Sequence, residues 1–145
     1  MEKKCILGMI SEINTLANER IKTEVKALNL PVLINHIPLF YLLPEDGSSI
    51  EFRVLREKWQ ISKSSLSDLL HKYESLGYVE KDMTCEDKRC VRIGLTKEAL
   101  VIRAQFLEIE ARILNTMVSS LDLEARDALE TNIVTVLNNM KNNEK

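Results

Sequence analysis

Apolar residues near the start of the chain recur every three or four positions, which is the spacing of one face of an α-helix. The stripe consists of Ile6, Met9, Ile10, Ile13, Leu16, Ala17, Ile21, Val25 and Leu28. It predicts a long N-terminal helix of roughly six turns, which Asn29-Leu30-Pro31 should end because proline lacks an N–H. A helix with a single apolar face needs a partner that covers that face.

A second, shorter helical pattern follows this break. Asn35 is placed to cap the helix, and Pro38 then falls in its first turn, where a missing N–H costs little. The apolar residues of the pattern continue to Leu43, and the run Pro44–Ser48 has the composition of a turn. We therefore expect the second helix to end at that turn.

The middle of the chain combines two short helical patterns with a hairpin. The predicted elements are a helix (Glu51–Trp59), a tight turn (Gln60-Ile61), a helix capped by Ser62 and ended by Gly77, a strand (Tyr78–Lys81), a charged tip (Glu86–Arg89) and a second strand (Cys90–Leu95). This order predicts a winged helix-turn-helix. Its second helix fits the major groove of DNA, and its hairpin can reach a neighbouring groove or phosphate.

Two further helical stripes complete the chain. Thr96 is placed to cap one helix and Asp122 to cap the other. Their stripes are Ile102, Phe106, Ile109, Ile113 and Met117, and then Ala125, Leu129, Ile133, Val136 and Met140. Together with the N-terminal stripe they exceed what a winged helix can cover, so we expect the terminal helices of two chains to pack together. A two-fold dimer would present two reading helices about 34–36 Å apart, which suits a palindromic site.

The predicted fold is therefore mainly α with a small β-hairpin wing (α+β). It is a winged helix-turn-helix with N- and C-terminal dimerisation helices, in a single chain of 145 residues. We expect the dimerisation helices in residues 1–30 and 97–145, and the DNA-binding winged helix-turn-helix in residues 31–96. Glycine and proline together number only seven, which favours helices over a sheet-and-turn protein.

The distribution of charge supports this division. The net charge is −2, but residues 53–92 carry nine Lys or Arg against seven Asp or Glu. Residues 1–52 and 103–145 each carry five against seven. A mildly basic middle between acidic flanks is compatible with a local phosphate-binding surface. No apolar run approaches the ~18 residues of a membrane span and Met1–Lys4 does not begin a signal peptide, so we expect a cytoplasmic protein.

Three segments resemble the MarR family of bacterial transcriptional regulators. They are Ser62–Ser67, Leu76–Lys81 and above all Glu86–Thr96, in which an Asp-x-Arg tip precedes a strand that ends in Leu-Thr. The resemblance implies a homodimer built from the first and the last two helices, which binds DNA through its recognition helix and wing. It also implies release from DNA by a small ligand or by cysteine oxidation.

Three residues depart from the pattern of that family. Arg56 replaces a small alanine that packs against the recognition helix, and Gln60 replaces the usual turn glycine. Asp68 takes a place where arginine is frequent, which should change the preferred bases or weaken binding.

The predicted DNA contacts lie on the polar face of the second middle helix and at the wing tip. They are Lys63, Ser64, Ser65, Ser67, Asp68, His71, Lys72, Lys88 and Arg89. Short hydroxyls allow a close approach to base edges, and Asp68 can accept from a cytosine amino group. Asp87 can hold the fork of Arg89 as it enters a minor groove. The competing interpretation is an ordinary solvated helix face and hairpin tip.

Other chemistry is sparse. His36, Phe40 and Tyr41 could line an effector pocket, although such a cluster more often belongs to a core or an interface. Cys85 and Cys90 flank the hairpin tip and could form a redox pair, but a short-hairpin disulfide is strained. Cys5 lies broadly where the resemblance places the reactive cysteine of peroxide sensors, and an ordinary thiol is the simpler interpretation.

No cofactor or metal site is predicted. Two distant histidines make a poor zinc site, and the sequence lacks a Gly-rich phosphate loop or a nucleophile elbow, so we expect no enzyme. The sequence indicates a DNA-binding regulator, more readily a repressor than an activator, that acts as a homodimer on a palindromic operator. Two alternatives stay open: a winged-helix protein-interaction module with little DNA affinity, and a cysteine redox-sensing regulator.

Overall fold

The computed structural model describes residues 5–83 and 90–143, which form six α-helices and three short strands. In chain order these are α1 (Ile6–Ala27), a 3-10 turn (Ile34–His36), α2 (Pro38–Leu42), β1 (Ser49–Glu51), α3 (Phe52–Trp59), α4 (Lys63–Ser75), β2 (Val79–Asp82), β3 (Arg92–Leu95), α5 (Lys97–Met117) and α6 (Leu123–Asn142). The chain divides into two compact units after Glu110. The mainly α fold with a small antiparallel sheet is confirmed.

The sheet has three antiparallel strands in the order β1-β3-β2. The two strands predicted from the sequence are β2 and β3, which pair from Val79 with Leu95 to Asp82 with Arg92. The third strand, β1, was not predicted. It lies against the other edge of β3, where a Cβ on Gly94 would come within 3.1 Å of a carbonyl oxygen. Glycine therefore allows β1 its close approach.

The predicted helix boundaries around α4, α5 and α6 are confirmed by their capping geometry. At the start of each helix a side-chain oxygen accepts a hydrogen bond from a backbone N–H three residues later. The pairs are Ser62 with Ser65 (3.2 Å), Thr96 with Ala99 (3.2 Å) and Asp122 with Ala125 (2.8 Å). Gly77 follows α4 with a φ of +78°, the left-handed conformation that glycine adopts readily. Helix α4 therefore has a defined start and a defined end.

The prediction that Asn35 caps the second helix is wrong. Asn35 lies inside the 3-10 turn, whose His36 N–H donates to the carbonyl of Leu33 at 2.9 Å. The N-cap position of this helix is occupied by Ile37, two residues after Asn35, and no side chain caps the helix. The helix begins at Pro38, so the placement of this proline in its first turn is confirmed.

Four aromatic rings form the centre of the core. Phe40 is fully buried, and its ring centroid lies 6.0 Å from that of Tyr73, 6.3 Å from that of Tyr78 and 5.1 Å from that of Phe106. These contacts join α2, α4, the start of β2 and the first part of α5. These contacts hold the buried face of α4 in place, and its opposite face is exposed to solvent.

The apolar stripes of α1 and α6 are exposed. On α1, Ile10, Ile13 and Leu16 are each about half exposed, and on α6 Ile133 and Val136 are exposed to 57% and 54%. Surfaces of this kind on a single chain indicate an uncovered interface.

Within residues 5–83 and 90–143, none of the helices has the length and apolar character that a membrane crossing requires.

Candidate nucleic-acid interface

Helix α4 has one buried and one exposed face. Leu66, Leu70 and Tyr73 have no exposed surface, and Leu69 is 8% exposed. All the α4 residues predicted to contact DNA are exposed: Lys63, Ser64, Ser65, Ser67, Asp68, His71 and Lys72. The helix therefore presents a polar surface with short hydroxyls on a rigid apolar support.

The first turn of α4 is organised by serine hydroxyls. Ser62 Oγ donates to Ser65 Oγ at 2.8 Å and accepts from the Ser65 N–H, and Ser64 Oγ lies 3.3 Å from Ser62 Oγ. Part of the hydrogen-bonding capacity of Ser65 is therefore used within the cap. The helix N-terminus itself favours nearby anions, which include DNA phosphates.

Two of the departures noted above lie at or near the turn between α3 and α4: Gln60 in the turn itself and Arg56 in α3. Gln60 adopts a left-handed φ of +57°, the conformation for which glycine is the usual residue. Arg56 does not pack beneath α4. It is exposed, and its Nε donates to the carbonyl of Ile61 at 3.4 Å, across the turn.

The far end of α4 is tied to the start of α5. The Thr96 hydroxyl donates to the carbonyl of Gly77 at 2.7 Å while it accepts from the Ala99 N–H. Lys81 on β2 forms an ion pair with Glu74 at 3.2 Å. These contacts hold the C-terminus of α4 against the sheet.

The wing is described only up to its tip. The predicted tip residues Asp87, Lys88 and Arg89, together with Cys85, lie outside the described residues. At the base of the wing, the guanidinium of Arg92 donates to the carbonyl and the hydroxyl of Ser49 at 2.6 and 3.1 Å. This pair joins β3 to β1 and stiffens the hairpin from its edge.

The residues of the predicted effector pocket face different surroundings. His36 Nδ1 lies 2.9 Å from the Tyr73 hydroxyl, and Phe40 is fully buried in the aromatic core. Burial lowers the pKa of His36, and the positive charge of Lys72 lowers it further. An effector pocket at these residues stays a prediction. Because Phe40 is fully buried, its ring would have to move before it could contact a ligand.

Tyr41 packs against α5 instead. The Arg103 guanidinium lies 5.8 Å from the centre of its ring and donates to the Phe40 carbonyl at 3.1 Å. Burial raises the pKa of the Tyr41 hydroxyl, and the carboxylate of Glu110 raises it further.

Two open grooves flank α4. One, of about 450 Å³, separates α4 from the 3-10 turn and is lined by Asn35, His36, Trp59, Ile61, Ser65, Asp68, Leu69 and Lys72. The other, of about 250 Å³, is called the cationic groove here and is lined by Glu51, Phe52, Arg53, Arg56, Lys63, Cys90 and Val91. Sequence reasoning missed Arg53 and Arg56 as site residues. Their spacing of three on one helix was the available signal.

The described cysteines and acidic side chains form no metal centre. No group of three or more His, Cys, Asp or Glu within residues 5–83 and 90–143 is arranged to hold a metal ion. Cys5 is exposed at the start of α1, where the backbone N–H groups of Gly8 and Leu7 lower the pKa of its thiol. This lowering of the pKa could not be predicted from the residue types near Cys5, because it comes from the backbone of the helix end.

No protein-family model and no curated protein matches the sequence. The fold, in contrast, is found among solved structures. A crystal structure of MarR superposes with a TM-score of 0.78 at 17% identity, over 98% of this chain and 95% of that chain. The Staphylococcus aureus MepR–DNA complex gives 0.74 at 18% identity, over 94% and 99%. A MarR transcriptional regulator from Methanosarcina mazei Go1 gives 0.75 at 19% identity, over 94% and 96%. The chain therefore has the fold that these MarR regulators share.

Proposed function

We propose that this chain is a transcriptional regulator, not an enzyme, that binds double-stranded DNA through α4 and the wing. The observation that carries the proposal is the exposed polar face of α4 on a fully buried support. One structure of the same fold is a MepR–DNA complex, which supports a DNA-binding role for this architecture.

The side chains of α4 suit two kinds of contact. Ser64, Ser67 and His71 lie on its exposed face and can approach base edges. Lys63 and Lys72 beside them can neutralise phosphates. Asp68 on the same face can accept only from a donor such as the cytosine amino group, so it should restrict which bases are tolerated. Lys88 and Arg89 at the wing tip are proposed to contact a phosphate and a minor groove, respectively.

A homodimer is the proposed working form. The exposed apolar stripes of α1 and α6 are surfaces that a second copy can cover, in line with the dimerisation helices expected in residues 1–30 and 97–145. Two-fold symmetry repeats the α4 surface, which is why we propose a palindromic operator. Bound near a promoter, such a dimer represses by excluding polymerase. A small-molecule effector would release it by favouring a dimer geometry with the wrong spacing between the reading helices.

The test is the binding of purified protein to fragments from its own genomic neighbourhood. Fluorescence anisotropy is measured across a range of about 50 to 200 mM salt. With six to ten phosphate contacts, affinity should fall by roughly 1,000- to 100,000-fold over this range. Arg89→Ala should weaken binding to the tightest fragment. The proposal would be refuted by weak binding that does not depend on the DNA sequence, on the salt concentration or on the Arg89→Ala substitution.

A protein-interaction module is the second candidate function. The net charge of −2 and the exposed carboxylate of Asp68 on the α4 face both favour it, because each repels phosphate. The same titration separates the two functions, since only neutralised phosphates release counterions and so produce a steep salt dependence.

A further inference from the structure

We propose that the cationic groove seats the strand of DNA backbone that separates the major groove entered by α4 from the minor groove reached by the wing. Arg53, Arg56 and Lys63 are then phosphate ligands. This inference rests on the proposed function and extends the interface to helix α3, to which no contact was assigned above.

The position of the groove is the first argument. Its walls come from the start of α3, from Lys63 at the start of α4, and from Cys90 and Val91, which lead into β3. The major and minor grooves of DNA are separated by a single sugar–phosphate strand. A protein that places a helix in one groove and a hairpin in the next must straddle that strand. The space between the start of α4 and the wing strand is where it has to pass.

The charge of the groove is the second argument. Three cationic side chains line it, against the one carboxylate of Glu51. In the described part of the chain, Arg53 and Lys63 have no ion-pair partner, and Arg56 uses only Nε, in its contact with Ile61. Lys81 and Arg103, elsewhere in the chain, are both paired with glutamates.

The chemistry of the side chains identifies the occupant. Arg53 and Arg56 are three residues apart and therefore share one face of α3. Two planar guanidinium forks match the paired oxygens of a phosphodiester, and a lysine adds a compact charge beside them. The groove is open, with a volume of about 250 Å³, so a continuous strand can lie along it.

The first test measures the salt dependence of DNA binding for Arg53→Gln, Arg56→Gln and Lys63→Gln. Lys97→Gln is the matched control: it makes the same charge change on an exposed residue, and it follows the end of β3 that is remote from Cys90. Because the proposed dimer carries each residue twice, each groove variant should lower the slope of log K against log salt by about 1.8, or about 0.9 per phosphate contact. If the electrostatic contribution vanishes near 1 M, binding of the dimer weakens about 200-fold at 50 mM and about 18-fold at 200 mM.

Two further features of the expected result identify phosphate contacts. The loss should be the same for operator and for unrelated duplex DNA, because phosphates carry no sequence information. Glu51→Gln, which removes the one carboxylate of the groove, should tighten binding at low salt. Far-UV circular dichroism confirms that each variant is folded. If Arg56→Gln unfolds because its contact with the turn is lost, the Arg53→Gln and Lys63→Gln variants still test the groove, since neither residue makes a hydrogen bond to the turn.

Cys90 gives a second, independent readout because it is one of the residues that line the groove. In a C5S/C85S variant, where Cys90 is the only cysteine, saturating duplex DNA should slow alkylation by iodoacetamide at least tenfold. An unchanged alkylation rate under conditions where DNA is bound would overturn the seating of the strand.

The outcomes for the groove and for the proposed function are distinct. If wild type binds an operator in an Arg89-dependent way but the groove variants behave like Lys97→Gln, the groove inference is wrong and the function stands. If wild type shows no salt-dependent binding at all, both are wrong. Equal losses for the groove variants and for Lys97→Gln would show only a general charge effect, which also overturns the groove.

Discussion

Substitution of Thr96 tests how the C-terminal end of α4 is held in place. Its hydroxyl is the only side-chain group described that bonds the end of α4 to the start of α5, through Gly77 and Ala99. Thr96→Val keeps the shape and the β-branched side chain but removes both hydrogen bonds. Thr96→Ser keeps both hydrogen bonds and removes a methyl group.

The magnitude follows from the two contacts. Loss of the N-cap on α5 costs about 1 kcal/mol. The Gly77 carbonyl also loses a donor at 2.7 Å, from a hydrogen bond that is partly buried. This second loss costs about 1 kcal/mol more. Valine should therefore reduce the free energy of unfolding by about 2 kcal/mol, and serine by less than about 1 kcal/mol.

Urea denaturation followed by circular dichroism measures both variants at one protein concentration, because a dimer makes stability depend on concentration. The midpoint of the valine variant should fall with an unchanged m-value, since the surface exposed on unfolding stays the same. Equal midpoints for the valine and serine variants would refute the reasoning, because the hydroxyl would then contribute nothing.

Three other predictions follow from local geometry. Gln60→Gly should stabilise the fold by about 0.5–1 kcal/mol in thermal melts, because φ is +57° there, whereas Gln60→Ala should not. Burial, then Lys72, lowers the pKa of folded His36, so the unfolded chain binds more protons and stability falls as pH drops below about 6.5. His36→Gln should lose less stability than wild type between pH 7 and 5; an identical loss would contradict this. Ile133→Glu should yield monomers in sedimentation, and Asn132→Glu should not; a dimeric Ile133→Glu protein would place the interface elsewhere.

The parts of the fold that were predictable from the sequence depend on local interactions. Ser62 and Gly77 mark the limits of α4 because a cap bonds to its own helix and a left-handed residue ends it, within a few positions. Strand β1 depends instead on Gly94, which is distant in the sequence. Gly94 has no side chain, so β1 can approach β3 closely. Asn35 failed as a cap because a preceding 3-10 turn competes for the same backbone, which residue type alone does not reveal.

The same distinction applies to the interface. The exposed face of α4 follows from helical periodicity, so its serines and Lys63 could be named from the sequence. The cationic groove could not be predicted from the sequence. Arg53 and Arg56 line a groove only because the fold brings Cys90, a residue distant in the sequence, close to them. A charged residue on a short helix looks like ordinary solvated surface until its neighbours from elsewhere in the chain are known.

The negative net charge is a weaker argument against DNA binding than it first appears. Net charge sets the long-range field, which governs how quickly a protein and DNA meet. Affinity for the backbone depends on how many phosphates are neutralised at contact, and each released counterion adds to it whatever the distant charges are. Exposed charges separated by more than about 8 Å are largely screened at physiological salt. Three cations that line one groove therefore bear more directly on DNA affinity than the acidic balance of residues 1–52 and 103–145.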